Sequence, residues 1–403
     1  MSHRRVQHPF RARGARGARG ARGARRAVAA VLAGAALAAP IVATTTTGSA
    51  AASNVRLNEM QVIGTHNSYH IEPPPGLLDL LIGADPSAIQ LAYSHPPLPE
   101  QFSFEGVRQI EIDVYADPTG DLWSPTGVPG FKVFHIEGID EGATCEVFVE
   151  CLQLVKGWSD ARLQHMPIAI LVEIKDTCDI CGPPDPITVG PAEFDALDAE
   201  IRSVFPEDRL LTPDDVRGAH PTLEGAILTD GWPRIDDVRG QTMFMLDNKR
   251  DTYVIGHPTL EGRVAFTPSS PGQPDAAFIK ENNPLGANTA LIQGYVTAGY
   301  MVRTRADGPH TQSAANDTTQ RDAALASGAQ WVSTDYPLAS YSQRWGTNYE
   351  ASIPGGRPAR CNPVNGPGGC VNTDIENLAA EVRPVSTTTS TTTIPVVTPT
   401  FTG

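Results

Sequence analysis

Eight short apolar runs, each ending in polar or charged residues and followed by a longer stretch, constrain this chain more than any other feature. They are MQVIGTHN at 60–67, RQIEIDVYAD at 108–117, FKVFHIE at 131–137, PIAILVEIKD at 167–176, TMFMLDNK at 242–249, AFIKEN at 277–282, YMVRTRAD at 300–307 and QWVSTDYP at 330–337. Most are rich in β-branched or aromatic residues, as strands are. Between them, 193–204 sets Phe194, Leu197, Ile201 and Val204 at helical spacing, and 319–329 runs into a glycine before the last strand. The stretch 285–302 reads as a helix leading into a strand. Eight strands with crossovers predict an α/β fold of the TIM-type (β/α)8 barrel, distorted in places. The long segment 176–240 holds a further strand candidate, GAILTDGW, which keeps a doubly wound open sheet as the competing architecture.

Charge divides the 403 residues unevenly. Nine of the 31 basic residues, all Arg, lie in 1–52, which hold no acid; the rest carries 22 basic against 45 acidic residues. Residues 1–52 read as an export signal with a small-residue leader: an Arg-Gly-Ala repeat ends at Arg25-Arg26 and AVAAVLAGAALAAPIVA follows directly. That position favours export over an RNA-binding tail and leaves the Sec and twin-arginine routes open. The barrel is expected in 53–350, an extension carrying Cys361 and Cys370 in 351–383, and a disordered Thr/Pro-rich tail in 384–403. The acidity beyond the leader argues against nucleic acid as a partner. The apolar run is short for a membrane span, and no later segment resembles one.

All six cysteines lie beyond the leader, and an even count in an exported chain suggests disulfides. Proximity suggests Cys145–Cys151, Cys178–Cys181 and Cys361–Cys370, although connectivity does not follow from sequence. The rival is a metal site at the CxxC of Cys178 and Cys181, but no second CxxC and no spaced His pair completes a zinc set.

The strand ends carry the chemistry, as barrel strands do at their carboxyl ends. They supply His66 and Asn67; Glu111 and Asp113; His135; Glu173 and Lys175; Asp247 and Lys249; Lys280 and Glu281; Arg303 and Arg305; and Asp335. A single strand-end histidine more often serves as a structural hydrogen-bonder. What favours chemistry here is the repetition of polar pairs two residues apart at one end of apolar strands. Inward carboxylates are costly unless paired or bound to metal. Asn67, Glu111, Asp113 and Glu173 form an all-oxygen set that suits Ca2+ first and Mg2+ second, rather than Zn2+. The two histidines outside that set can stabilise an anion and pass protons. Lys175, Lys249, Arg303 and Arg305 offer positive charge to a phosphate. Metal, acid–base pair and cationic cradle together describe phosphodiester cleavage.

GTHNSY, EIDVY, FHIEGID and ILVEIKD resemble the metal-dependent phosphatidylinositol-specific phospholipases C, most of all their secreted bacterial calcium-dependent branch. LTPDDVRG, LEGAILTDGWPRIDDVRGQTMFMLDN, VRTRAD and VSTDYP extend the likeness over residues 55–345. The resemblance implies that His66 stabilises the pentavalent phosphate and that His135 protonates the departing diacylglycerol oxygen. It implies that Asn67, Glu111, Asp113 and Glu173 hold Ca2+, and that Glu111 or Glu173 takes the inositol 2-hydroxyl proton. Lys175, Lys249 and Arg303 are expected to contact substrate, with Arg305 after them. It further implies a secreted monomer acting on phospholipid at a membrane surface.

Two rivals remain. A glycerophosphodiester phosphodiesterase shares the barrel, the E-x-D pair and two histidines, but that family typically carries His-Arg-Gly where this chain has His66-Asn67-Ser68. A non-catalytic lipid-binding barrel would have no need of both histidines and all four ligands. The segment 71–99, with LLDLLI and Tyr93, reads equally as an interfacial patch or as a helix packed on the barrel. His70 finds no partner in the sequence.

Overall fold

The computed structural model describes residues 54–178, 182–355 and 358–378. The expected leader, the expected tail and Cys181 of the Cys178–Cys181 pair lie outside them. The strands are β1 (Met60–Thr65), β2 (Gln109–Asp117), β3 (Gly130–Lys132), β4 (Ile168–Ile174), β5 (Thr242–Leu246), β6 (Ala265–Phe266), β7 (Phe278–Lys280), β8 (Met301–Arg305), β9 (Trp331–Thr334) and β10 (Ala359–Cys361). Eight of them run parallel in the order β6-β5-β4-β2-β1-β9-β8-β7. The ends of that row meet through one parallel bridge, Pro268 to Phe278, so the barrel nearly closes and is loosest at that seam.

The strands are buried on both faces, as parallel strands under helices must be. In β2, Ile110, Ile112 and Val114 alternate with Glu111 and Asp113; the apolar three join one large cluster. Helix Phe148–Asp160 adds Phe148, Leu152 and Val155 to it, and helix Pro191–Val204 adds Phe194, Leu197 and Ile201. Each such side chain contributes about 1.5–3 kcal/mol of transfer free energy.

Three expectations need correction. The run 131–137 is not a barrel strand: only Gly130–Lys132 is extended, and it folds back antiparallel on β2, which continues past the barrel and offers Tyr115–Asp117 as an edge. The eighth barrel strand is the two-residue β6, too short to show a period. GAILTDGW does not add a strand, because Leu223–Thr229 is a helix. Thr222 Oγ1 caps it by accepting from the Gly225 N–H at 3.0 Å, and Leu223, Ala226 and Ile227 are buried at helical spacing. The helices expected at 193–204 and 319–329 are present as Pro191–Val204 and Thr319–Ser327, and 285–302 holds helix Ala287–Ala298 leading into β8.

The segment 358–378 packs on the end of the barrel opposite the polar strand ends. There β10 pairs antiparallel with the start of β1, Met60 against Cys361. Buried Glu376 accepts from Arg108 Nε at 3.0 Å and from the Met166 N–H at 3.1 Å. The Cys145–Cys151 and Cys361–Cys370 disulfides are both formed. LLDLLI lies in helix Pro75–Ala84, in which Leu78 alone is buried while Leu80 is 73% exposed. Among the described residues no helix is long and apolar enough to cross a membrane.

Candidate metal and acid–base site

The β2–β4 register sets Asp113 beside Glu173, and Glu111 lies two residues earlier on the same face of β2. Ligand oxygens of these three acids lie within 4.8 Å of one another. Glu111 and Asp113 are buried, while the Glu173 side chain keeps 26% of its surface exposed. Burial holds Glu111 well above the usual carboxylate range; Arg303 opposes the shift, while Asp247, Asp113 and Glu173 add to it. Asp113 is likewise raised, by burial first, with Lys175 opposing and Glu173 adding.

Asn67 follows β1 with φ of 42°, a left-handed conformation that asparagine tolerates better than most residues. Ser68 ties this turn to β2: its N–H donates to the Glu111 carbonyl at 2.8 Å and its Oγ accepts from the Glu111 N–H at 2.9 Å. Asn67 Oδ1 is left buried with no donor. Three crowded carboxylates, with a buried orphan amide oxygen at the exit of the neighbouring strand, are what a hard, oxygen-seeking cation would satisfy. The donor set therefore fits Ca2+.

The expected cationic cradle is paired with carboxylates. Lys175 Nζ lies 2.8 Å from Glu173 and 3.0 Å from Asp113. Arg303 is buried, donating to Glu111, to Asn282 and to Ser333 Oγ. Arg305 donates to Asp335 at 3.1 Å. Lys249 reaches Asp176 at 2.6 Å, next to Lys175 rather than in the carboxylate group itself. Lys280 pairs with Asp247 at 2.7 Å.

Both histidines have an Asp on Nδ1. His66 lies 3.0 Å from Asp335, and His135 lies 2.7 Å from Asp140. Each carboxylate accepts the Nδ1–H, fixing the tautomer and leaving Nε2 without a protein partner among the described residues. Burial, then the Arg305 cation, push His66 down to about 3, with Asp335 opposing. Opposing burial, His66 and the Arg305 charge hold Asp335 far below the usual carboxylate range.

Several groups that meet the two histidines carry no clear signal in the sequence pattern. Asp140 sits inside FHIEGID, yet it had no assigned role. Asp335 was noted only as a strand end. His70, left without a partner, bonds to both oxygens of Asp140 at 2.8 Å. His95 Nε2–H donates to the His66 carbonyl at 3.0 Å, and the same nitrogen approaches Asp335 at 3.7 Å. Tyr93 stacks on His70 at 4.3 Å between ring centroids.

The family model described as "Phosphoinositide phospholipase C, Ca2+-dependent" matches residues 55–128 and 124–363 of the chain. Among solved structures, a Ca2+-dependent phosphatidylinositol-specific phospholipase C from Streptomyces antibioticus is similar at 18% identity and a TM-score of 0.45, covering 73% of this chain and 97% of that one. A calcium-dependent phosphoinositol-specific phospholipase C from a Pseudomonas species, in its apo form, is similar at 15% identity and a TM-score of 0.48, covering 77% and 97%. The myo-inositol complex of that enzyme gives 15% and 0.47, covering 77% and 96%. No curated protein sequence matches.

Proposed function

This chain belongs to the Ca2+-dependent phosphoinositide phospholipase C family, and from that premise we propose that it cleaves phosphatidylinositol to diacylglycerol and a cyclic inositol phosphate. The observation that carries the reading is the pair of carboxylate-pinned histidines, His66–Asp335 and His135–Asp140, on the same barrel as an all-oxygen ligand set. Asn67, Glu111, Asp113 and Glu173 would hold Ca2+, which when bound lowers the pKa of the inositol 2-hydroxyl and neutralises phosphate charge.

In this reading Glu173 takes the hydroxyl proton. Its partial exposure supports that choice over Glu111, which is buried against Arg303. His66 faces the charge that develops on the phosphoryl group. His135, held by Asp140 through Nδ1, delivers a proton from Nε2 to the departing diacylglycerol oxygen. Lys175, Arg303 and Arg305 place positive charge around the phosphate. Lys249 stands further along the same rim, beside Asp176.

The substrate is proposed to be met at a bilayer by a secreted monomer. Helix Pro75–Ala84 supports this: Leu77 and Leu80 are exposed, Asp79 is its only charge, and the chain that follows it delivers Tyr93 onto His70. Comparing intact phosphatidylinositol with glycerophosphoinositol tests the reaction. Release of inositol phosphate from the intact lipid is expected; cleavage of the deacylated diester alone would make the chain a glycerophosphodiester phosphodiesterase instead.

A further inference from the structure

We infer that His70 is a positioning residue for the protonation step: acting through Asp140, it fixes the orientation of His135. The inference rests on the general-acid role of His135 proposed above.

His135 does not sit on a barrel strand. It lies in the loop after β3, in a tight turn where the Asp140 N–H donates to the Ile136 carbonyl at 2.8 Å and the Ile136 N–H to the Asp140 carbonyl at 3.0 Å. A hydrogen bond from Tyr115 Oη to the His135 carbonyl at 3.0 Å holds the backbone but leaves the ring free to turn. The ring is held by Asp140 Oδ2 at 2.7 Å, and both oxygens of Asp140 are held by His70 Nε2 at 2.8 Å.

The exit of β1 places His70 for this. Residues 69–71 run antiparallel to 142–144: the Thr144 N–H donates to the Tyr69 carbonyl at 2.7 Å and the Ile71 N–H to the Gly142 carbonyl at 2.9 Å. The approach is so close that a Cβ on Gly142 would lie 2.3 Å from the Ile71 carbonyl oxygen. Below the His70 ring, Tyr93 stacks at 4.3 Å; beside it, the His135 ring stands edge-on at 6.0 Å. His70 and the Asp140 side chain are fully buried.

The donor pattern admits one arrangement. An ionised Asp140 is acceptor-only, so it takes His70 Nε2–H and His135 Nδ1–H. His70 Nδ1 is buried with no partner, which suits a bare lone pair and not a second N–H. Two donors from different segments stop the carboxylate from rotating. His135 therefore keeps its Nδ1–H bond and presents Nε2 outward. Without His70 the carboxylate loses one of its two holds, and the acid loses its fixed aim.

The test compares His70→Gln with His70→Met, side chains of equal length of which only Gln has an N–H near the position of Nε2. Turnover is measured at saturating Ca2+ on phosphatidylinositol and on an inositol phosphodiester with a nitrophenyl leaving group, whose oxygen departs without protonation. On the lipid, kcat of His70→Met is expected to fall by about tenfold to a hundredfold with KM little changed, and His70→Gln to recover most of it. On the activated diester, Met and Gln variants are expected to match the unmodified enzyme closely. Equal turnover of the two variants on the lipid, or an equal loss on both substrates, overturns the inference. His70→Phe, which keeps the ring on Tyr93 and removes the donor, gives the same comparison if the Met variant does not fold. A His135→Ala variant with full lipid turnover would instead overturn the reading on which the inference rests.

Discussion

His66 and His135 come from opposite contexts, a barrel-strand exit and a loop, yet both carry a buried aspartate on Nδ1. The account assigns protonation to His135, so His135→Ala should lower turnover on phosphatidylinositol by about a hundredfold or more. Binding to vesicles should be retained; undiminished turnover would contradict the assignment and would favour a non-catalytic binder. A different histidine contributes to acid stability without touching the site. His165 is buried, donates Nδ1–H to the Met166 carbonyl at 2.6 Å and accepts from Ser159 Oγ at 2.6 Å. Burial lowers it to about 4. The unfolded chain takes up that proton below about pH 6.5 and the folded one does not, so stability falls as pH drops from there towards the folded value, by up to about 1.4 kcal/mol per unit. Urea melts at neutral and mildly acidic pH should show a shallower loss for His165→Gln than for the unmodified protein, and equal slopes would contradict this. At this scale the clustering of Glu111, Asp113 and Glu173 was legible because period-2 polar pairs stand out in apolar strands. Asp140 was hidden in a loop with no period, and His70 lies 70 residues from its partner.

Among elements, the exposed helix Pro75–Ala84 and the closing segment 358–378 make separate claims. If the helix docks on lipid, Leu80→Asp should cut turnover on vesicles about tenfold while leaving turnover on a dispersed short-chain phosphatidylinositol unchanged. Equal losses on both would place Leu80 in the fold instead. At the other end of the barrel, Glu376→Ala leaves Arg108 buried without its carboxylate. That should cost about 3–5 kcal/mol, read as a lower denaturation midpoint; an unchanged midpoint would show that the segment contributes nothing to closure. Strand-like composition misled where tertiary context decided. FKVFHIE has the residues of a barrel strand but follows β3 back along β2, whereas β6 enters the barrel with two residues and no pattern. GAILTDGW suits strand or helix by composition, and the Thr222 cap settles it as a helix.

At the level of the whole molecule, the proposed ligand set would make calcium and protons competitors for one cluster. Glu111 and Asp113 are raised in the metal-free fold, so the folded state holds more protons than the unfolded one above the ordinary carboxylate range. Metal-free stability from these groups therefore falls as pH rises through neutrality, and Ca2+ held as proposed would replace the protons. The gain in Tm on adding Ca2+ should grow between about pH 6 and about pH 8; a gain that does not change with pH would contradict the ligand set. The barrel class was legible because seven of the eight apolar runs became barrel strands in the expected order. The looseness of the β6–β7 seam was not, since a single bridge leaves no trace in composition. The central claim is tested most directly by following release of cyclic inositol phosphate from phosphatidylinositol vesicles with Ca2+ and with excess chelator. The account predicts release with Ca2+, abolished by chelator and restored when Ca2+ is added back. Full release in excess chelator would contradict it.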